Sequence, residues 1–229
     1  MCYNILMITY NDIKENDEIS AYIRTGNELL GVMGYTEHGF AHAAKTADKA
    51  GEILRNLGYS ERTVELAMIA GYMHDIGNCV NRSDHAQSGA IIAFKILDKM
   101  GFDPEELAGV VGAIGNHDEG TGTAVSPVSA ALILADKSDV RRTRVRYKDR
   151  NKANLSADIH DRVNFAAHKS NLELNDEKTG IILQLEIDTE ISAVMEYFEI
   201  FLSRMVMCRE AAGFLGLTFE LNINNIKLL

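Results

Sequence analysis

His74 and Asp75 stand side by side at the end of a long apolar helical pattern running from Thr63 to Met73, with His42 upstream and His85, His117 and Asp136 downstream. Adjacent His and Asp side chains near a helix end diverge enough to grip one cation from two sides or to serve two neighbouring ions. The other four nitrogen and oxygen donors complete a hard or borderline metal site. All six lie in or beside segments with helical apolar periodicity, where ionisable groups are avoided unless paired or metal-bound. Mixed imidazole and carboxylate ligands suit iron, manganese, zinc, cobalt or nickel, so the donor set alone does not choose among these divalent ions.

The elements that must position these donors are mostly helices. Apolar residues recur at three and four spacing near residues 17–33, 37–57, 61–75, 85–100, 104–116 and 127–140. Thr36 and Ser60 are expected N-caps, Gly58 and Gly101 fall where helices end, and Pro104 and Pro127 sit at helix starts. The fold class is therefore mainly α, a helical bundle. After about Ala167 the pattern changes: Asn171 to Leu174 and Gly180 to Ile187 alternate around Asn175-Asp176-Glu177-Lys178 and read as a hairpin. Thr189 to Phe214 reads as one long helix whose Met195, Phe198, Phe201, Leu202 and Met205 stripe belongs to the core, and Leu217 to Ile226 as a last strand. Residues 1–165 are expected to form the metal-binding domain and residues 166–229 a small α/β cap, a long helix with an antiparallel sheet. The strand at Leu217 to Ile226, taken as a sheet edge, is where a homodimer would pair.

At 229 residues and 46% apolar content, the chain can bury one substantial core. Its cysteines, Cys2, Cys79 and Cys208, are odd in number and scattered, which fits a reducing cytoplasm. The start, with Ile5 to Ile8 apolar, has no cationic lead or long apolar region, and no later stretch approaches a membrane span. A net charge of -10 argues against general nucleic-acid affinity. The run from Lys137 to Lys152 is locally basic; Arg141, Arg144 and Arg146 within it are candidates to capture a phosphorylated small molecule, the alternative being a solvated loop.

His42, then His74-Asp75 followed by Ile76-Gly77-Asn78, then Asp136 inside Ile133-Leu134-Ala135-Asp136, resembles the HD-domain superfamily of metal-dependent phosphohydrolases, over about residues 30–145. The resemblance implies an HD-type helical bundle in which His42, His74, Asp75 and Asp136 ligate a divalent metal. His85 and His117 look like the additional ligands of the binuclear branch. There the aspartate of the pair bridges two metals, a role that would fall to Asp75. Asn78 departs from the lysine that often follows the Ile-Gly. Asn116 and the lack of Tyr-Pro after Gly122 depart from the cyclic-dinucleotide phosphodiesterase branch.

The implied activity is hydrolysis of a phosphate ester or anhydride, the two ions lowering the pKa of a water that attacks phosphorus. Lys137 is expected to offset phosphate charge, while Asp118, Glu119 and His38 are candidates to give the leaving oxygen its proton. His38, four residues before His42, is placed on the same helix face. Asp84 and Asn116 are candidates to orient ligand imidazoles. His160 and His168 fall outside the matched stretch and are expected to be incidental. Two alternatives remain. Some HD-fold proteins resembling this one hold two irons with four His and two Asp and cleave carbon bonds with oxygen; others are non-catalytic modules that bind metal or ligand.

Overall fold

The computed structural model describes residues 7–146, 150, 155 and 157–229. Helices α1 (Tyr10–Lys14), α2 (Asp17–Val32), α3 (Phe40–Asn56), α4 (Glu61–Met73), α5 (His85–Met100), α6 (Pro104–Gly115) and α7 (Pro127–Lys137) make the bundle, with 3-10 turns at Ile76–Cys79 and Arg142–Arg144. Helix α8 (Ile159–Ala166) leads into β1 (Ala167–Leu174) and β2 (Gly180–Ile187), followed by α9 (Val194–Phe214), β3 (Thr218–Ile223) and β4 (Ile226–Lys227). Cys2, Ile5, Lys148, Asp149 and Lys152 lie outside the described residues.

Local chemistry accounts for most boundaries. Asn16, Ser60, Asp103 and Ser126 each accept a hydrogen bond from a first-turn amide of the helix they precede. Gly58 and Gly101 adopt left-handed φ values of 81° and 83° just past α3 and α5. Thr36 is not a cap: α3 begins at Phe40 behind Gly39, which makes no side-chain cap bond, and the Thr36 carbonyl faces His38 and Arg146 instead.

Helix α7 explains how ionisable ligands come to lie in the centre. Every residue from Val128 to Lys137 is buried, the pattern of a helix surrounded by protein on all sides. It packs against α3, α4 and α9. Helix α4 crosses α3 closely because Gly71 meets Ala47, where an added Cβ would come within 2.8 Å of the Ala47 Cα. One continuous apolar cluster includes Leu132, Val163, Leu172, Phe201 and Leu221, so bundle and sheet share their core.

The sheet differs from expectation. Its order is β1-β2-β3-β4, and while β1–β2 and β3–β4 are antiparallel, β2 and β3 run parallel, from Gly180 opposite Thr218 to Leu185 opposite Ile223. The 21-residue α9 is the crossover that parallel neighbours require. The last strand is split at Asn224–Asn225, whose left-handed φ values of 50° and 64° turn the chain into β4. Strand β3 is consequently internal rather than an edge. On α9, Tyr197, Phe201 and Met205 are buried, but Met195 and Leu202 are 68% and 56% exposed, so the expected core stripe is rotated. Among the described residues no helix is long and apolar enough to cross a membrane.

Candidate metal centre

Six donors from six elements converge. His42 comes from the first turn of α3, His74 ends α4, Asp75 opens the 3-10 turn, His85 begins α5, His117 follows α6, and Asp136 lies in the last turn of α7. All four histidines are buried. The approach of α5 to the 3-10 turn depends on Gly77, where a Cβ would lie 2.0 Å from the His85 carbonyl oxygen and 2.5 Å from the Gly89 nitrogen.

The donors form two halves that share Asp75. In the first, His42 Nε2 lies 3.2 Å from Asp136 Oδ1 and 3.6 Å from Asp75 Oδ2, and His74 Nε2 lies 3.3 Å from Asp75 Oδ2 and 3.5 Å from Asp136 Oδ1. In the second, His85 Nε2 lies 3.4 Å from Asp75 Oδ1 and 3.1 Å from His117 Nε2, with Asp118 Oδ1 at 4.0 Å. Ligand atoms of His42, His74 and Asp136, and of His74, Asp75 and His117, each cluster tightly enough to hold an ion.

Every ring is oriented through its other nitrogen. Nδ1 of His74, His85 and His117 lies 2.8, 3.0 and 2.6 Å from the carbonyl oxygens of Gly71, Arg82 and Ile114, and His42 Nδ1 lies 2.8 Å from Asp139 Oδ2. These acceptors hold a proton on Nδ1 and turn Nε2 toward the site. Asp84 and Asn116 do not do this: Asn116 donates to the Gly112 carbonyl, and Asp84 sits in a left-handed turn before α5. Asn78 instead donates to Asp75 Oδ1 at 2.7 Å and aims the shared carboxylate.

The electrostatics favour cations. Burial pushes His85 and His117 below the usual imidazole value, so two neutral rings present Nε2 lone pairs to each other. Burial also opposes charging His74, yet Asp75 and Asp136 outweigh it and push it up to about 10. Asp75 Oδ2 is buried without a hydrogen-bond partner among the described residues, so its lone pairs are available to an ion. The donor set fits divalent metal.

The remaining candidates divide. Lys137 is buried and pairs with Asp136 Oδ2 at 2.8 Å and Glu119 Oε2 at 2.9 Å, while Arg204 Nε donates to Glu119 Oε1 at 2.5 Å. Burial raises the Glu119 carboxyl, but Lys137 and Arg204 overcome this and hold it far below the carboxylate range. His38 lies on the loop before α3, its ring edge-on to His42 with centroids 5.6 Å apart and its Nδ1 2.8 Å from the Thr36 carbonyl. Arg141 pairs with Asp139, Arg144 donates to the carbonyls of Glu37 and Asp139, and Arg146 donates to those of Tyr35, Asn27 and Thr36. Their bonds tie the loop before α3 to the segment after α7.

Sequence reasoning missed the contacts that Asp139, Asn78, Arg82 and Arg204 make at the site. The first three had a local signal, each three residues from a ligand; Arg204 had none, being 85 residues from Glu119.

An HD-domain family model matches residues 39–163, which extends past residue 145 and takes in His160. The chain is 26% identical over 200 residues to an uncharacterized protein, MJ1020, of Methanocaldococcus jannaschii, covering 78% of this chain and 74% of that one. A crystal structure of a predicted HD superfamily hydrolase from an uncultured Thermotogales bacterium aligns at 29% identity and a TM-score of 0.43, over 54% of this chain and 67% of that one. With its His-Asp pair and flanking donors inside a family match that spans more than half of its length, this chain belongs to the HD-domain family.

Proposed function

We propose that the protein is a metal-dependent phosphohydrolase acting on a small phosphorylated molecule, with its two halves each holding a divalent ion and Asp75 serving both. The observation that carries this reading is the division of the Asp75 carboxylate, Oδ2 toward His42 and His74 and Oδ1 toward His85. When bound, the ions supply a water of lowered pKa and Lewis-acid stabilisation of phosphoryl charge.

The chain's own residues do the rest. His42, His74, Asp75 and Asp136 would hold one ion, and Asp75, His85 and His117 the other. Lys137 offsets the Asp136 charge, and its burial makes it a positioning residue rather than a direct phosphate contact. Glu119, locked between Lys137 and Arg204, organises that lysine and has no proton to give at neutral pH. Asp118, with its side chain 29% exposed and 4.0 Å from His85 Nε2, is the better placed group to hand a proton to the leaving oxygen; His38 lines the cavity, but burial holds it well below the usual imidazole value and its Nδ1 is taken by the Thr36 carbonyl. Residues 1–165 form the catalytic unit in this reading and residues 166–229 a cap that supplies Arg204.

The test is metal analysis of the purified protein coupled to phosphate release from a panel of phosphate esters, run in air and anaerobically with iron or manganese restored. About two metals per chain with oxygen-independent phosphate release is the expected result. Because four His and two Asp also suit two irons, oxygen uptake on substrate addition with no anaerobic hydrolysis would replace this reading with an oxygenase.

A further inference from the structure

A cavity of about 440 Å³ opens beside the metal centre, and its walls include Arg82, Arg144 and Arg204 together with His38, Tyr35 and Phe201. The three arginines come from distant parts of the chain: the turn before α5, the second 3-10 turn, and the middle of α9. Each is anchored along one edge. Arg82 Nη1 donates to Asn78 Oδ1 at 3.3 Å and lies 3.6 Å from Asp75 Oδ1. Arg144 uses Nε and Nη1 on the carbonyls of Glu37 and Asp139, and Arg204 uses Nε on Glu119. A guanidinium carries five donors in a planar fork, so each retains donors after this anchoring.

Protein carboxylates only partly offset the three guanidiniums: Arg204 pairs with Glu119 and Arg82 lies near Asp75, while the direct bonds of Arg144 go to main-chain carbonyls. Burial pushes Arg144 below its usual value and Arg204 pushes it the same way, with Asp139 and Asp136 offsetting part of this. Asp158 and Asp161 also line the cavity, but Asp158 Oδ1 caps α8 by accepting from the amides of His160 and Asp161, and Asp161 is engaged within the chain. The aromatic walls are occupied as well: the guanidinium of Arg82 lies 6.0 Å from the Tyr35 ring centre and that of Arg204 lies 4.5 Å from Phe201. These rings serve as platforms for arginines, which leaves little aromatic face for a nucleobase to stack on.

We propose that this cavity takes a small phosphate ester carrying a second anionic group, a carboxylate or a second phosphate, gripped by Arg82, Arg144 and Arg204 while the phosphoryl group lies at the metal centre. The phosphoryl end rests on the phosphohydrolase reading; the second anion rests on the arginines alone. A volume of this order holds a whole small ligand rather than an isolated phosphate.

The experiment is anaerobic titration calorimetry of the full-length, metal-loaded protein with phosphonates, whose carbon–phosphorus bond resists hydrolysis. Methylphosphonate is compared with phosphonoacetate and phosphonopropionate, which add a carboxylate, and with a nucleoside phosphonate. The carboxylated probes should bind about tenfold or more tightly than methylphosphonate, as expected for one charge-assisted bidentate contact. Arg82→Gln and Arg204→Gln should each shrink that preference at least severalfold, the preference being the ratio of carboxylated-probe to methylphosphonate affinity within the same folded, metal-loaded variant. Using two positions guards against one variant failing to fold. Equal binding of methylphosphonate and its carboxylated relatives, a preference kept in both variants, or tightest binding of the nucleoside phosphonate would each overturn the proposal. Metal content on the same samples separates the two readings. An arginine-dependent preference without metal sinks only the phosphohydrolase reading, whereas two metals without the preference sink only this one.

Discussion

The two halves of the metal centre are built from similar donors and supported differently. In the first, His42 is backed by the buried carboxylate of Asp139, itself paired with Lys45 and Arg141, and Asp136 is paired with Lys137. In the second, His85 and His117 are backed by main-chain carbonyls, and Arg82 lies 3.4 Å from His85 Nε2. A carboxylate behind an imidazole raises its basicity more than a carbonyl does, while a nearby guanidinium repels an ion. In the proposed two-ion reading the first half would retain its ion more tightly, and the second, next to the arginine-lined cavity, would exchange its ion more readily and meet substrate.

The largest effect should come from removing what the halves share: Asp75→Ala is expected to take metal content from about two per chain to near zero. Equal metal content in wild type and variant would break the bridging assignment. Next, His85→Ala or His117→Ala should remove one ion and leave the other, whereas His42→Ala should cost the more tightly held ion; a chelator titration followed by mass spectrometry reads the difference. Asp139→Asn keeps the shape and loses the charge, so the first ion should weaken by roughly 10–100-fold with the second little changed. If both ions weaken alike, Asp139 does not distinguish the two halves.

A pH series probes the Lys137–Glu119–Arg204 chain. Because the Glu119 carboxyl is lowered in the folded state, it adds stability that is complete above the unfolded carboxylate pKa of about 4.3 and is lost as pH falls below that value. Wild type should therefore melt above Glu119→Gln at neutral pH, with the gap narrowing in acid. The smallest effect is expected for Arg146→Ala, which loses ties to the carbonyls of Tyr35 and Asn27: about 1–2 kcal/mol of stability with turnover and Michaelis constant unchanged. A raised Michaelis constant would return Arg146 to substrate binding.

Much was legible beforehand because its causes are local. The caps at Ser60, Asp103 and Ser126 act through hydrogen bonds within a turn, so α4, α6 and α7 start where capping chemistry puts them. Thr36 misled because a capping residue type says nothing about whether the next residues are held in a loop, as here by Arg146 and Asn27. The hairpin of β1 and β2 was visible from alternation, but β3 was misread as antiparallel: alternation reports which face is buried and is silent on strand direction. The strand–helix–strand order of β2, α9 and β3 did hold the clue, since a long helix between strands is how parallel neighbours are joined.

The sequence by itself determined the helices, the candidate donor residues and the family resemblance, because periodicity, capping and ligand type are properties of residues a few positions apart. Tertiary structure alone decided which Asp75 oxygen faces which histidines, that Asp139 backs His42 from 97 residues away, and that Arg204 reaches Glu119 across 85. Those pairings depend on how closely helices approach, at Gly71 against Ala47 and Gly77 against α5, and on which faces the shared core leaves turned inward. The same packing turned the basic run to different uses, holding Arg144 at the cavity and spending Arg146 on main-chain carbonyls. Charge along a chain does not encode direction in space; burial and available partners supply it.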